Sequence, residues 1–382
     1  MNILLIIPET SGTIAGVSHN LYLAIKKHVN ANVYVACLGA AKNGYDFGEI
    51  YLWKEKSKMP FVGYYINQLS KVAFLKKIKK ELKIDVAIST LLGCSALNTL
   101  SSVGEKTIGI FHAPLAQTKV LGLKSYLSCW YSYKTNIKKL TKIFAVSKTV
   151  KDDLEQITGR DAEILYNIHN FERISSLSKE ELQDEEYKLF NNCNIVLYVG
   201  NMYSVKAPDR LIMAFEKYKE TTRSTAKLVF IGPVLEKYEK DFDNIIKSVN
   251  NEIRKDVHFL GKKENPYKYM SRSSILVSPS RSEGLPGVII EALSLGIPIV
   301  TTNSTIGVWE IMECENEYNQ DLKGIKITDY GIITPNVLED ENFTIDQLAL
   351  GIKNALNSKF DNISLFNKER FRAENIVRQL FK

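Results

Sequence analysis

In this 382-residue chain the stretch Ser280–Val300, SRSEGLPGVIIEALSLGIPIV, gathers residues that could do chemistry. An apolar strand pattern over Ile275–Ser278 ends just before it, and a loop then carries Glu283 and Gly284. Pro286 falls where a first helical turn tolerates proline; Gly296 stops that helix and Pro298 opens the next strand. Gly284 and Gly287 let a ligand approach the backbone. A helix N-terminus at this point offers unpaired N–H groups and partial positive charge to an anion, most simply a phosphate. Glu283 belongs to the loop, whereas Glu291 lies at least one turn inside the helix, so the two carboxylates serve different parts of one ligand. The alternative for the stretch read alone is an ordinary strand–helix connection with surface glutamates.

Holding such a loop takes alternating strands and helices, and the chain supplies them twice. Residues 1–170 alternate strands at Asn2–Pro8, Ala31–Leu38, Asp85–Ser89, Thr107–Phe111 and Lys142–Val146 with helices at Ser18–His28, Tyr64–Lys83 and Leu121–Leu140. A polar segment, 171–190, reads as the linker. The alternation restarts with strands at Asn194–Val199, Lys227–Ile231, Val257–Leu260, Ile275–Ser278 and Ile299–Thr302. Helices follow at Pro208–Lys219, Glu236–Arg254, Val288–Leu295 and Ile345–Leu356, and the tail Lys368–Phe381 is a last helix. The expectation is two doubly wound parallel α/β sheets facing one cleft, with ligands at the carboxyl ends of the strands. The domains are 1–170, joined by the tail helix at about 366–382, and 171–365.

Composition excludes several classes. With 45% hydrophobic and 24% charged residues, 21 glycines and 10 prolines, the chain is globular rather than collagen-like, coiled-coil or disordered. Five cysteines (37, 94, 129, 193 and 314) lack CxxC spacing, which supports neither a disulfide framework nor a zinc site and fits a cytoplasmic address. MNILLIIPET reads as a strand, not a signal peptide, and no apolar run reaches the ~18 residues of a spanning helix. Asp241 and Asp243 (DFD) sit in a charged amphipathic helix and read as a solvated face, not a metal site. No GxxxxGK[ST] or GxGxxG stands between a strand and a helix, against P-loop and dinucleotide enzymes. The net charge of +7 divides into +10 over residues 1–170 and −3 over the rest, so the first half is suited to an anionic partner. Nucleic acid is not expected.

Glu283 and Glu291, with EGLPGVIIEALSLGIPIV around them, resemble the E-x7-E signature of retaining glycosyltransferases of family 4, which have the GT-B fold. The resemblance implies that Glu283 meets the hydroxyls of the donor sugar and Glu291 the nucleotide ribose. Backbone amides around Gly284, Leu285, Pro286, Gly287 and Val288 would meet the diphosphate. In LYVGNMYSVKAPDRLIMAF (197–215), Lys206 matches the family's lysine beside the leaving diphosphate, where bond breakage leaves charge. Asn201 stands where the family usually has arginine; it keeps a hydrogen-bond donor but loses a cation. Gly12 and Gly16 resemble a glycine loop beside the donor phosphates, and His112, after TIGIF, an active-site histidine. His19, His28, His169 and His258 read as structural or surface residues. Asn167 resembles a residue of the interdomain crossover and Tyr330–Pro335 a late glycine turn.

These matches imply transfer of a hexose or N-acetylhexosamine from a nucleotide-diphosphate sugar, UDP-linked by expectation, with no metal or other cofactor. The acceptor would be a glycan or lipid-linked molecule of cell-surface polysaccharide synthesis. Two rivals stay open: a glycoside hydrolase or phosphorylase using both glutamates, and an inactive nucleotide-sugar-binding module. Hydrolase carboxylates stand ~5–9.5 Å apart across one bond, which a glutamate inside a helix fits poorly. The helix Tyr64–Lys83 sets Lys71, Lys76, Lys77, Lys79, Lys80 and Lys83 beside Leu69, Val72 and Phe74. Leu121–Lys142 adds Tyr126, Trp130, Tyr131 and Tyr133. Such segments suit an anionic lipid surface, on the inner face of the cytoplasmic membrane. Equally, they could pack into the first core.

Overall fold

The computed structural model describes residues 1–39, 44–59, 62–114 and 123–382. Two compact units emerge: unit 1 is Met1–His169 with Glu369–Lys382, and unit 2 is Asn170–Lys368. Among the described residues no helix is long and apolar enough to cross a membrane.

Unit 1 is built on strands β1 (Asn2–Ile7), β2 (Asn32–Cys37), β3 (Ile50–Leu52), β4 (Val86–Thr90), β5 (Lys106–Phe111), β6 (Lys142–Ala145) and β7 (Glu163–Ile164). They pair in the order β3-β2-β1-β4-β5-β6-β7, all parallel. Helices α1 (Thr13–His28), α2 (Val62–Glu81), α3 (Leu92–Leu100), α4 (Leu123–Thr135) and α5 (Lys148–Thr158) cover the sheet. Its central strands are rich in apolar residues because both faces are covered; Ile3 to Ile7 are completely buried. Leu4, Ile6, Ala36, Leu75, Ile78 and Leu97 form a core between the sheet and α2–α3.

Unit 2 contains helices α6 (Phe171–Ser178), α7 (Asp184–Phe190), α8 (Pro208–Thr222), α9 (Glu239–Ser248), α10 (Asn251–Arg254), α11 (Tyr267–Met270), α12 (Gly287–Ser294), α13 (Ile306–Ile311) and α14 (Glu341–Asn357). The final helix, α15 (Ala373–Leu380), belongs to unit 1, where it packs on α1. The unit 2 strands are β8 (Ile195–Val199), β9 (Lys227–Ile231), β10 (Val257–Phe259), β11 (Ile275–Ser278), β12 (Ile299–Thr302), β13 (Lys326–Thr328) and β14 (Gly331–Thr334). Their order is β10-β9-β8-β11-β12-β14-β13, parallel except for β13, which runs antiparallel to β14. Among the parallel strands of each sheet the order reverses once, between β1 and β4 and between β8 and β11. Such a switch point opens a crevice at the carboxyl ends of the strands.

Several expectations need correction. The segment 171–190 is no linker: Phe171, Ile174 and Phe190 bury one face of α6 and α7, and Tyr269 and Lys263 both bond Glu186 at 2.8 Å. The charge of its outer face hides this in the sequence. The helix expected over Glu236–Arg254 breaks before Asn250, whose side chain caps α10. Asp241 and Asp243 are exposed on either side of buried Phe242, so the DFD run is a solvated face. Tyr330–Pro335 contains strand β14 rather than only a turn. The helix expected from Leu121 begins, among described residues, at Leu123; its expected start lies outside them.

Lys79 is the largest departure. Expected on a basic surface, it is buried in unit 1, its Nζ 2.6 Å from Glu105 Oε1 and donating to Asn98 O and Oδ1 (both 2.8 Å) and Ser101 Oγ (3.0 Å). Burial pulls its pKa down, and the Glu105 carboxylate opposes that pull. Removing one partner of a buried pair strands the other charge. Lys79→Met should therefore cost about 3–5 kcal/mol in urea unfolding, and adding Glu105→Leu should recover most of it. Equal stability of the single variant and the wild type would contradict the buried network.

Candidate functional site

The crevice at the β8/β11 switch point is flanked by two loops, residues 200–207 leading to α8 and residues 279–286 leading to α12. Lys206 comes from the first and Glu283 from the second, and the structure brings them together. Lys206 Nζ lies 2.5 Å from Glu283 Oε1, with side chains 29% and 11% exposed. Ser280 Oγ donates to the same carboxylate oxygen at 2.7 Å. Ala207, immediately after the lysine, adopts left-handed φ 50°, ψ 48° and is fully buried. An L-residue pays about 1–2 kcal/mol for that conformation, which turns the chain sharply into α8. The second loop is pinned from below: Thr302 Oγ1 donates to the Ser280 carbonyl at 2.6 Å.

Helix α12 begins at Gly287, one residue earlier than expected, and Pro286 stays outside it with φ −73°, ψ 96°. The Ile289 amide already bonds the Pro286 carbonyl. Gly284, Leu285 and Pro286 are buried, whereas Gly287 and Val288 are partly exposed at the helix start. Glu291 lies within α12, and the Tyr267 hydroxyl donates to its Oε1 at 3.2 Å. Burial pushes the Glu291 carboxyl up to about 7, against a smaller downward pull from Tyr267. Glu283 and Glu291 thus occupy different electrostatic settings, the first neutralised by a lysine and the second by desolvation. Asn201 is exposed in the loop after β8, and its carbonyl accepts from Tyr198 Oη at 3.0 Å. Gly232 follows β9 with φ 139°; a Cβ there would lie 1.9 Å from the Gly200 carbonyl, so two strand ends meet backbone to backbone.

Unit 1 carries the other two candidates. Helix α1 starts at Thr13, five residues earlier than expected, so Gly16 is helical rather than part of a loop. A Cβ on Gly16 would sit 2.7 Å from the Tyr45 hydroxyl. His112 directly follows β5, at the carboxyl edge. Burial pulls its pKa down to about 4, with the Asn167 side chain pulling the other way, so the ring is neutral at pH 7. Beside it His112, Thr90, Tyr166, Asn167 and Ile376 help line a cavity of about 20 Å³, room for one water. His19 is structural: Nε2 meets the Asp46 carbonyl at 2.9 Å and the ring stacks on Tyr45. Ser280 and Tyr267 escaped sequence reasoning. Ser280 lies inside the recognised stretch, but Tyr267 is 24 residues from its partner and no spacing points to it.

Residues 179–320, which include Lys206, Glu283 and Glu291, match the family described as glycosyl transferases group 1. The chain is 25% identical over 306 residues to a glycosyltransferase of Methanocaldococcus jannaschii, covering 77% of this chain and 73% of that one. A Campylobacter jejuni protein is 30% identical over 200 residues, about half of each chain; it is an N-acetylgalactosamine-N,N'-diacetylbacillosaminyl-diphospho-undecaprenol 4-alpha-N-acetylgalactosaminyltransferase. The crystal structure of Anabaena Alr3699/HepE in complex with UDP superposes with a TM-score of 0.72 at 16% identity, over 100% of this chain and 98% of that one. The strand orders, the loops at the switch point and these matches lead to one conclusion: the chain is a glycosyltransferase with the GT-B fold, and its segment 179–320 is similar to the group 1 glycosyl transferases.

Proposed function

We propose that the enzyme moves a hexose or N-acetylhexosamine from a UDP-sugar to a glycan or lipid-linked acceptor, with retention, as a family 4 enzyme. The observation that carries this reading is the Lys206–Glu283 pair at the β8/β11 crevice beside the start of α12. A cation, a carboxylate and a helix N-terminus together match a sugar diphosphate, which is anionic at one end and hydroxyl-rich at the other. The Anabaena protein binds UDP and UDP-glucose at the same fold, and the Campylobacter relative uses a diphospho-undecaprenol acceptor.

On this reading Glu283 accepts hydrogen bonds from sugar hydroxyls, and Glu291 accepts from the ribose. Lys206 exchanges part of its contact with Glu283 for the diphosphate, where Asn201 and the amides from Gly284 to Val288 join it. The bond between the anomeric carbon and the phosphate oxygen breaks as the acceptor oxygen bonds that carbon on the same face. The departing phosphate oxygen takes the acceptor proton. Positioning and stabilisation of leaving-group charge supply the catalysis. That charge is assigned to Lys206 and the helix terminus, with no metal ion. His112, neutral at pH 7, contributes a hydrogen bond rather than a charge, and Gly16 lies on the same ligand-facing edge of unit 1.

A lipid-linked acceptor calls for a membrane-facing surface, and unit 1 offers one on α2 and α4, which flank α3 and both pack on it. Val62, Tyr64, Tyr65 and Leu69 of α2 and Leu127, Trp130 and Tyr131 of α4 are all exposed. Lys76, Lys77 and Lys80 are exposed as well. The patch differs from the expected one: Lys79 is buried, Val72 and Phe74 pack on the core, and Tyr133 is buried with its ring tilted against Phe111. The side chain of Tyr126 lies outside the described residues. We read this surface as a peripheral site for anionic lipid on the inner face of the cytoplasmic membrane.

Lys206→Ala should lower turnover of the donor, measured as UDP release, by about 10²–10³, the cost of one preorganised charge-stabilising donor; a near-normal kcat/KM would remove Lys206 from the site. In calorimetric titration with UDP, Glu291→Ala should lose affinity while Glu283→Ala keeps it, and equal losses would overturn the two roles. A ribose needs Glu291 ionised. Its folded-state pKa, about 7, lies above its ordinary 4.5, so protonation favours the free folded protein and that stabilisation fades as pH rises through 7. The ratio of wild-type to Glu291→Gln affinity for UDP should therefore rise between about pH 5.5 and 8; a flat ratio contradicts the assignment. In vesicle sedimentation, binding should need anionic lipid, weaken with salt, and drop when Lys76, Lys77 and Lys80 become glutamine. Protein left in the supernatant at low salt would favour a glycan acceptor free of lipid.

A further inference from the structure

Two arginines tie together the loops of the unit 2 crevice, and neither has a role in the reading above. Arg281 lies two residues before Glu283. Its backbone N–H donates to the Val205 carbonyl at 2.8 Å, and its Nη1 also donates to the Ser204 carbonyl. The guanidinium then grips Asp209 with both ends, Nη2 to Oδ2 at 2.7 Å and Nη1 to Oδ1 at 3.3 Å, while Nε donates to Glu341 Oε1 at 3.2 Å. Ser204 and Val205 precede Lys206, and Asp209 follows it in the first turn of α8. One side chain beside Glu283 therefore holds the lysine loop on both sides.

Arg210 backs this arrangement. Fully buried, it donates Nε to Glu341 Oε2 at 2.5 Å, Nη2 to Oε1 at 2.8 Å and Nη1 to Asn336 Oδ1 at 2.6 Å. Asn336 Nδ2 closes the circuit by donating to the Arg281 carbonyl at 2.9 Å. Two guanidinium groups and two carboxylates make the cluster neutral, so it adds little net field to the Lys206–Glu283 pair. What it supplies is geometry, because a planar fork fixes direction as an ammonium does not. None of its bonds reaches Tyr267 or Glu291.

We propose that Arg281 is a positioning residue that sets Glu283 against Lys206, and so governs recognition of the sugar half of the donor but not of its nucleotide half. This rests on the reading of Glu283 as the sugar-facing carboxylate. The probes are UDP, UDP-glucose, UDP-galactose and the two N-acetylated counterparts, titrated calorimetrically below the melting temperature of each variant. For Arg281→Gln, the UDP Kd should stay within about twofold of wild type, while the ratio of UDP-sugar Kd to UDP Kd for the best donor rises about tenfold or more. Arg281→Lys should not restore it, since a compact ammonium lacks the planar fork that spans Asp209, Glu341 and the Ser204 carbonyl in fixed directions. In a Glu283→Gln background, Arg281→Gln should add less than about a twofold change. Parallel weakening of UDP and UDP-sugar, or an undiminished effect in that background, would overturn the proposal. If Arg281→Gln does not fold, Asp209→Asn, which leaves the Arg210–Glu341 pair intact, carries the same expectations. If Glu283→Gln alone leaves the ratio unchanged, the reading of Glu283 falls and the positioning role with it. If Glu283→Gln moves the ratio and Arg281→Gln does not, only the positioning role falls.

Discussion

The contact between Lys206 and Glu283 joins the two loops on which the whole carboxyl edge of unit 2 depends. It exists because β8 and β11 are neighbours in the sheet although 75 residues lie between the end of β8 and the start of β11, so the chain must leave each strand on its own side of the crevice. Opposite charges at that distance, with the carboxylate mostly shielded from water, make each other tolerable where either alone would be costly. The pair brings opposite charges together and so keeps this point of the crevice close to neutral. Ser280, Thr302 and the strained turn at Ala207 all serve to hold these two side chains in one register.

Three titratable groups at the edges of the two sheets show how environment divides labour. Glu283 sits between the Lys206 ammonium and the Ser280 hydroxyl. For Glu291 burial outweighs the opposing pull of the Tyr267 hydroxyl, so its proton is held up to about pH 7. His112 is driven the other way and remains an uncharged ring at pH 7. The same residue types on an open surface would all behave alike. The fold, by setting solvent access, turns two similar carboxylates into groups with different partners.

Much of this could be read from the chain itself. Strands such as Lys227–Ile231, Ile275–Ser278 and Ile299–Thr302 fall where their apolar runs are bounded by turn residues, because a parallel sheet covered on both faces leaves no polar alternation to blur them. The two glutamates and the lysine were legible as types and spacings. Their mutual contact was not, since it depends on sheet order. Lys79 misled because its helical position suggests solvent, and only the packing of α3 reveals Asn98 and Glu105 waiting for it. The α6–α7 segment misled because few buried side chains are enough to dock a short helix whose remaining residues are charged. Arg210 and Arg281 carried no signal at all: their partners lie 131 and 60 residues away at Glu341.

The central claim is that a nucleoside diphosphate is held by the two loops of the unit 2 crevice and by the start of α12. Hydrogen–deuterium exchange of the full chain, with and without saturating UDP, tests it most directly, because amides that meet a ligand or are ordered by it exchange more slowly. Protection is expected in peptides spanning 200–207 and 279–291, with little change at the opposite, amino-terminal edge of the same sheet. Unchanged exchange in both of those segments under saturating UDP would contradict the account.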